Sequence, residues 1–177
     1  PNMVICTPSD ENETRKLLTT AYLYNGPASV RYPRGTGPNS NVDKDLKPLK
    51  IGEANVINDE SSEIVILNFG TLLNEANEIS KELKATLVDM RFVKPLDEKL
   101  LIKLLKKAKI FISIEDGSIM GGAGSAVQEF VSKENLNVRS ILFGIPDKFI
   151  EHASREEMLV EAGLDVENIK SKLSKLL

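Results

Sequence analysis

The chain has 177 residues with 41% hydrophobic and 28% charged side chains and a formal net charge of −3, values typical of a globular protein with one main core. The slightly acidic balance argues against binding nucleic acid by phosphate neutralisation, and no apolar run approaches the roughly 20 residues that span a bilayer. One cysteine and one histidine exclude an internal disulfide and a zinc site of the usual Cys/His type, so a reducing, cytoplasm-like compartment is expected.

The N-terminal part of the sequence predicts a short strand–helix–strand unit. Residues 3–6 are an apolar run typical of a buried strand, and Asp10 is predicted to cap a helix that runs to about Tyr24. A brief strand is expected at residues 28–32. Because Pro1 stands in place of Met and a strand follows almost at once, we expect the chain to be part of something longer.

From residue 53 onward, predicted strands and helices alternate. Strands are expected at residues 53–58, 63–69, 86–91, 110–115 and 138–143, with a polar turn at 59–62, and helices at residues 71–83, 96–108, 122–133, 154–162 and 165–177. Such alternation builds parallel βαβ units. The fold class is therefore α/β, with a mostly parallel five-stranded sheet flanked by helices.

The predicted elements divide the chain into two domains. Residues 43–52 belong to a polar stretch without hydrophobic periodicity, which is typical of an interdomain linker. We expect residues 1–42 to be the end of one domain and residues 53–177 to form the other.

Two arginines, Arg31 and Arg34, lie at the exit of the strand predicted at residues 28–32. The planar guanidinium group suits bidentate binding of phosphate or carboxylate. Alternation along the strand predicts that Arg31 and Tyr32 point to opposite faces, while Pro33 fixes the turn from which Arg34 leaves. The alternative is that both arginines are surface residues paired with local acids.

A glycine-rich run at residues 119–125 follows a predicted strand and opens a helix. It departs from the nucleotide-binding pattern G-x-G-x-x-G because Val127 stands where the third glycine would fall, and no Walker pattern is present. Two interpretations remain. The run is either an anion-binding helix N-terminus or a turn that lets a helix pack tightly against a sheet or a partner subunit.

Four other side chains are candidates for chemistry. Glu115 and Asp116 could act in acid/base catalysis or bind magnesium, but neighbouring side chains on a strand diverge, which favours a helix cap or a salt bridge. His152 is expected to be solvated, and Cys6 to be a small core residue. No serine, cysteine or histidine has plausible triad partners, so the chain is not expected to be an independent enzyme.

Several longer runs resemble the 1-deoxy-D-xylulose-5-phosphate synthase family, in the family's order and spacing. They are TPSDENE (7–13), VRYPRG (30–35), LNFGT (67–71), VDMRFVKPLD (88–97), IMGGAGS (119–125), GIPD (144–147) and EEM (156–158). The resemblance therefore covers essentially the whole chain.

This resemblance implies a transketolase-like enzyme that uses thiamine diphosphate and Mg²⁺ to join the two-carbon unit of pyruvate, after decarboxylation, to glyceraldehyde 3-phosphate for isoprenoid, thiamine and pyridoxal synthesis. It implies a homodimer with a cytoplasmic or plastid-like location. Residues 1–42 would end the central, pyrimidine-binding domain, and residues 53–177 would be the transketolase-like C-terminal domain. The cofactor, metal and catalytic residues would lie upstream, so this fragment would bind no cofactor and be inactive by itself.

The resemblance also implies roles for the two arginines. Arg34, in the Tyr-Pro-Arg-Gly run, falls on the family's second phosphate-contacting arginine, and Arg31 ranks as a weaker contact with a structural or ion-pairing role. The glycine run would be a packing element near the dimer interface.

Two alternatives stay open. The chain could be the C-terminal part of another thiamine-dependent enzyme, such as a transketolase or the β-subunit of a 2-oxo-acid dehydrogenase, or a non-catalytic dimerisation module. The Tyr-Pro-Arg-Gly and Met-Gly-Gly-Ala-Gly runs favour the synthase.

Overall fold

The computed structural model describes residues 1–38, 40–60 and 63–177, which form two β-sheets with flanking helices. The strands are β1 (Val4–Cys6), β2 (Ala28–Val30), β3 (Asn55–Asn58), β4 (Ile64–Phe69), β5 (Thr86–Asp89), β6 (Phe92–Lys94), β7 (Ile110–Ser118) and β8 (Arg139–Ile145). The helices are α1 (Glu11–Leu23), α2 (Leu73–Leu83), α3 (Glu98–Leu105), α4 (Ala123–Lys133), α5 (Arg155–Ala162) and α6 (Val166–Leu176). In this part of the chain, no helix is long and apolar enough to cross a membrane.

The larger sheet has the strand order β3-β5-β4-β7-β8. Its strands β5, β4, β7 and β8 are parallel, and β3 pairs antiparallel with β5 at one edge. The mostly parallel five-stranded sheet predicted from the sequence is therefore confirmed. The predicted turn at residues 59–62 includes Ser61 and Ser62, which lie outside the described residues.

Both faces of the larger sheet are covered, because its central strands are apolar on both sides. In β4, Ile66 packs into one core cluster with residues of α2 and α6, whereas Val65 and Leu67 pack into another with residues of α3 and α4. This arrangement leaves the two ends of the sheet for function. The carboxyl ends of β4, β5 and β7 meet at one of them.

The smaller sheet draws its strands from both parts of the chain. Its order is β2-β1-β6, with β1 parallel to β2 and antiparallel to β6. The prediction of one strand over residues 86–91 is wrong: β5 ends at Asp89, Arg91 adopts a left-handed backbone with φ +58°, and Phe92 begins a strand in the other sheet. Phe92 is fully buried beside Cys6, so sheet and core both join the two parts.

Side chains of the N-terminal part also contact the carboxyl end of β5. The Ser9 hydroxyl donates to Asp89 at 2.7 Å, and the Arg91 guanidinium donates to both carboxylate oxygens of Glu13 at 2.7 and 3.0 Å. Asp89 is almost completely buried, and this burial raises its pKa to about 7. These contacts place the start of α1, whose N-cap is Asp10, beside the carboxyl end of β5 in the larger sheet.

The glycine run packs helix α4 against β7. The amide N–H groups of Ala123 and Gly124 donate to the buried Glu115 carboxylate, both at 2.9 Å. Burial raises the pKa of Glu115 in spite of these two hydrogen bonds. The helix N-terminus thus binds an anion, and that anion is a side chain of the same chain. The predicted helix cap and tight packing are both confirmed.

Gly121 and Gly122 provide a matched test of this packing. A methyl group at Gly122 would overlap the Ser118 carbonyl oxygen and approach the Glu115 carboxylate oxygens to 2.6 and 2.7 Å, so Gly122→Ala is expected to lower the free energy of unfolding by about 3 kcal/mol. At Gly121 an added methyl group meets no described atom within 4 Å, and only the left-handed backbone opposes it, which costs about 1–2 kcal/mol. Urea unfolding of both variants measures the difference, and equal losses would contradict steric closure at Gly122.

The pKa of Asp89 predicts a pH-dependent stability. Because its pKa is about 7 in the folded chain against an ordinary value of 3.8, the folded chain holds this proton more tightly, and the resulting stabilisation is lost as pH rises from about 4 to 7. Asp89→Asn removes the titrating group, so the stability of this variant relative to the unmodified chain is expected to increase over that pH range. Urea unfolding at pH 5 and pH 8 measures this, with the exposed Asp147→Asn as control. A constant difference between variant and parent would refute the prediction.

Candidate functional site

The candidate site is the loop of residues 31–35, which leaves β2 toward the carboxyl end of the larger sheet. We call this segment the Arg34 loop. The prediction that the strand extends to Tyr32 is wrong, because β2 ends at Val30. The last backbone hydrogen bond runs from the Arg31 N–H to the Cys6 carbonyl at 2.9 Å, and Pro33 has no N–H to offer further along. Strand alternation therefore does not set the directions of the Arg31 and Tyr32 side chains.

Arg31 is fixed by Asp116, which lies near the end of β7. The Arg31 Nη1 donates to Asp116 Oδ1 at 2.7 Å and lies 3.4 Å from the Asp116 carbonyl oxygen. The Asp116 side chain is 15% exposed and that of Arg31 42%. The ion-pairing role expected for Arg31 agrees with this contact, and its weaker contact with a phosphate stays a prediction.

Two further residues hold the other oxygen of Asp116. The Thr71 hydroxyl donates to Asp116 Oδ2 at 2.8 Å, and the Arg155 guanidinium lies 3.5 Å from the same oxygen. Arg155 also donates to the Thr71 hydroxyl oxygen. We call Arg31, Thr71, Asp116 and Arg155 the Asp116 cluster. Its two arginines and one carboxylate carry a net positive charge.

Arg34 stands apart from this cluster. Its side chain is exposed, and it forms no hydrogen bond or ion pair with any residue that the structure describes. Because Arg31 and Arg155 share the charge of Asp116, Arg34 presents an uncompensated guanidinium on the same loop. Such a group can bind a phosphate through two charge-assisted hydrogen bonds.

A cavity of about 220 Å³ adjoins the Arg34 loop. It is lined by Ser9, Asp10, Glu11, Thr14, Tyr32, Pro33, Gly35, Gly37, Pro38 and Thr71. Arg34 is not among the described residues that line it, although both of its neighbours in sequence are. The acidic side chains of Asp10 and Glu11 make the cavity interior unfavourable for a phosphate, so an anion bound by Arg34 would lie at its rim.

The remaining candidate side chains from the sequence are Cys6, His152, Glu115 and Asp116, and none of their described contacts indicates a catalytic role. Cys6 is fully buried, and burial raises the pKa of its thiol to about 11, which leaves it unreactive. His152 is exposed, as expected for a solvated histidine. Glu115 caps α4 and Asp116 forms salt bridges, in agreement with the interpretation that their side chains diverge.

The sequence interpretation missed Thr71 and Arg155 as members of the site. Thr71 could have been found, because it follows β4, and the carboxyl ends of neighbouring parallel strands lie side by side. Arg155 carries no such signal. It is the first residue of α5, and only the path of the chain after β8 brings it to Asp116.

Comparison with known proteins identifies relatives of the whole chain. It is 50% identical over 171 residues to a 1-deoxy-D-xylulose-5-phosphate synthase of Pseudomonas fluorescens strain Pf0-1, covering 97% of this chain and 27% of that protein. A synthase of the same name from Pseudomonas paraeruginosa is 51% identical over 170 residues, covering 96% of this chain and 27% of that protein. The chain thus spans about a quarter of the length of the curated relatives it matches.

Solved structures share the fold. A split-gene transketolase, described as an inactive β4 tetramer, matches with a TM-score of 0.82 and 26% identity over 99% of this chain and 58% of that chain. A transketolase from Campylobacter jejuni matches with a TM-score of 0.70 and 19% identity over 99% of this chain and 26% of that chain, which supports the fold alone.

The family pattern for the C-terminal domain of transketolase matches residues 52–169, which is more than half of the chain. This range contains all five strands of the larger sheet, together with the residues Thr71, Asp116 and Arg155 at its carboxyl end. The chain therefore belongs to the transketolase C-terminal domain family.

Proposed function

We propose that this chain is the C-terminal part of a 1-deoxy-D-xylulose-5-phosphate synthase. In that enzyme the two-carbon unit left by decarboxylation of pyruvate is joined to glyceraldehyde 3-phosphate. The observation that carries the proposal is the identity of about 50% to synthases over nearly the whole chain, N-terminal segment included. The Arg34 loop belongs to that segment, outside the range of the family pattern.

Within this function, we assign Arg34 to the phosphate of glyceraldehyde 3-phosphate. The support is physical: its guanidinium is exposed and lacks a described partner, and a phosphate dianion matches its planar pair of donors. Arg31 remains the weaker candidate, since Asp116 already occupies one of its donors at 2.7 Å.

The cofactors are assigned to other parts of the enzyme. Among the described residues, no group of three or more His, Cys, Asp and Glu side chains could hold a metal ion. We propose that Mg²⁺ and thiamine diphosphate are bound outside this chain, which covers 27% of the length of its synthase relatives; thiamine diphosphate would supply the chemistry of pyruvate decarboxylation there. The contribution of this chain is to bind and orient the acceptor aldehyde.

We also propose that the complete enzyme is a cytoplasmic homodimer. Met120 and Phe149, on the loops after β7 and β8, expose 71% and 100% of their surface. Large exposed apolar side chains are enriched where subunits meet, which supports an interface near the glycine run.

The first test replaces Arg34 in the full-length enzyme that carries this chain. Arg34→Ala is expected to raise the KM for glyceraldehyde 3-phosphate by about 10- to 100-fold, the cost of losing charge-assisted hydrogen bonds, and to leave the KM for pyruvate unchanged. With unphosphorylated D-glyceraldehyde as acceptor, kcat/KM should be the same for the variant and the parent, because no phosphate is present.

Arg139→Ala is the matched control, since Arg139 begins β8 at the opposite end of the larger sheet. An unchanged KM for glyceraldehyde 3-phosphate in Arg34→Ala would remove Arg34 from the site and leave the family assignment intact. A well-folded parent that lacks synthase activity would contradict the proposed function.

A second test uses the chain by itself. Because this chain covers 27% of the length of its synthase relatives and the proposed cofactor site lies elsewhere, the isolated chain is expected to form no 1-deoxy-D-xylulose 5-phosphate from pyruvate and glyceraldehyde 3-phosphate. The full-length enzyme assayed with thiamine diphosphate and Mg²⁺ is the positive control. Product formation by the isolated chain would refute the assignment of the cofactors to other parts of the enzyme.

A further inference from the structure

We propose that Asp116 is a positioning residue for acceptor binding, which sets the Arg34 loop through its ion pair with Arg31. The inference rests on the proposed function and extends it. It assigns a role in substrate recognition to a side chain of the C-terminal domain that does not itself contact the substrate.

The Arg34 loop is held at its first residue in two ways. The Arg31 N–H donates to the Cys6 carbonyl in β1, and the Arg31 guanidinium donates to Asp116 in β7. Only Tyr32 and Pro33 separate Arg31 from Arg34, and the pyrrolidine ring fixes one backbone angle of Pro33. The Cα atoms of Arg31 and Arg34 can therefore lie no more than about 10 Å apart, so the placement of Arg31 limits that of Arg34.

Asp116 is the more rigid partner of this ion pair. Its carboxylate is mostly buried, with Thr71 and Arg155 on one oxygen and Arg31 on the other. The backbone of Gly70 lies close against the pair: a methyl group there would be 3.2 Å from Asp116 Oδ1 and 3.5 Å from Arg31 Nη2. The contact thus ties the Arg34 loop to the ends of two central strands of the larger sheet.

The charges support the same role. Asp116 binds two arginines, and this leaves Arg34 as the cation of its loop that has no ion-pair partner among the described residues. Replacing the carboxylate by an amide would release Arg31 and loosen the loop, while Arg34 keeps its own charge. The expected defect is therefore in the geometry of phosphate binding.

The test compares variants of the full-length enzyme with phosphorylated and unphosphorylated acceptors. Asp116→Asn is expected to raise the KM for glyceraldehyde 3-phosphate about 10-fold, since misplacement of a binding group by about 1 Å costs up to about 100-fold. The kcat, the KM for pyruvate and kcat/KM for D-glyceraldehyde should change less than about twofold. In the Arg34→Ala background, Asp116→Asn should have no further effect, because the two changes remove the same interaction.

Glu13→Gln is the matched control. The pair of Glu13 with Arg91 also joins the N-terminal part to the segment that follows β5, but it does not involve the Arg34 loop. It is the more buried of the two pairs, with side chains 14% and 11% exposed. We expect no change specific to the phosphorylated acceptor in this variant. An equal rise in the KM for glyceraldehyde 3-phosphate would show that any loss of contact between the N-terminal part and the rest of the chain weakens acceptor binding. That result would overturn the specific role of Asp116.

The remaining outcomes separate this inference from the proposed function. An unchanged KM in Arg34→Ala overturns the phosphate role of Arg34 and this inference with it. A raised KM in Arg34→Ala with an unchanged KM in Asp116→Asn, or additive effects in the double variant, overturns this inference alone.

If Asp116→Asn fails to fold, Thr71→Val removes one donor to Asp116 with little change of shape and should raise the KM for glyceraldehyde 3-phosphate about threefold. No rise in this variant would also overturn the inference.

Discussion

Asp116 carries one negative charge at the carboxyl end of the larger sheet, and two arginines from distant parts of the chain meet at it. Arg31 precedes it by 85 residues, and Arg155 follows across strand β8. Removing a mostly buried carboxylate from water is unfavourable unless its oxygens are paired, and here Thr71 and the two arginines provide that pairing. The position of the Arg34 loop, the start of α5 and the end of β4 are therefore linked through a single side chain.

At the glycine run, too, a buried carboxylate joins two elements, but its partners are uncharged backbone N–H groups. A buried carboxylate, Glu115, faces the N–H groups at the start of α4, and the helix can approach because Gly122 has no side chain to meet the Ser118 carbonyl. Two adjacent acids on one strand thus serve different neighbours. Glu115 joins a helix to its own strand, whereas Asp116 joins the N-terminal part of the chain to the larger sheet.

Local patterns predicted most of the fold. Apolar runs and helical spacing located the five strands of the larger sheet, and the cap predicted at Asp10 is observed at the start of α1. Strand β6 was missed because three residues directly after another strand carry no periodicity, and only a left-handed turn at Arg91 separates the two. In the candidate site, the arginine pair and the prediction of a helix cap or salt bridge for Glu115 follow from residue type and spacing. Arg155 does not, since its contact depends on tertiary structure.

Strand β6 has a consequence for how this architecture can be divided or exchanged. Phe92–Lys94 lies within the range of the C-terminal family pattern, yet it forms an edge of the sheet built by β1 and β2. Cutting the chain at the polar stretch before residue 53 would leave β1 without its antiparallel neighbour and expose the buried ring of Phe92. Recombination or gene fission at that point would therefore separate β6 from the two other strands of its sheet, β1 and β2.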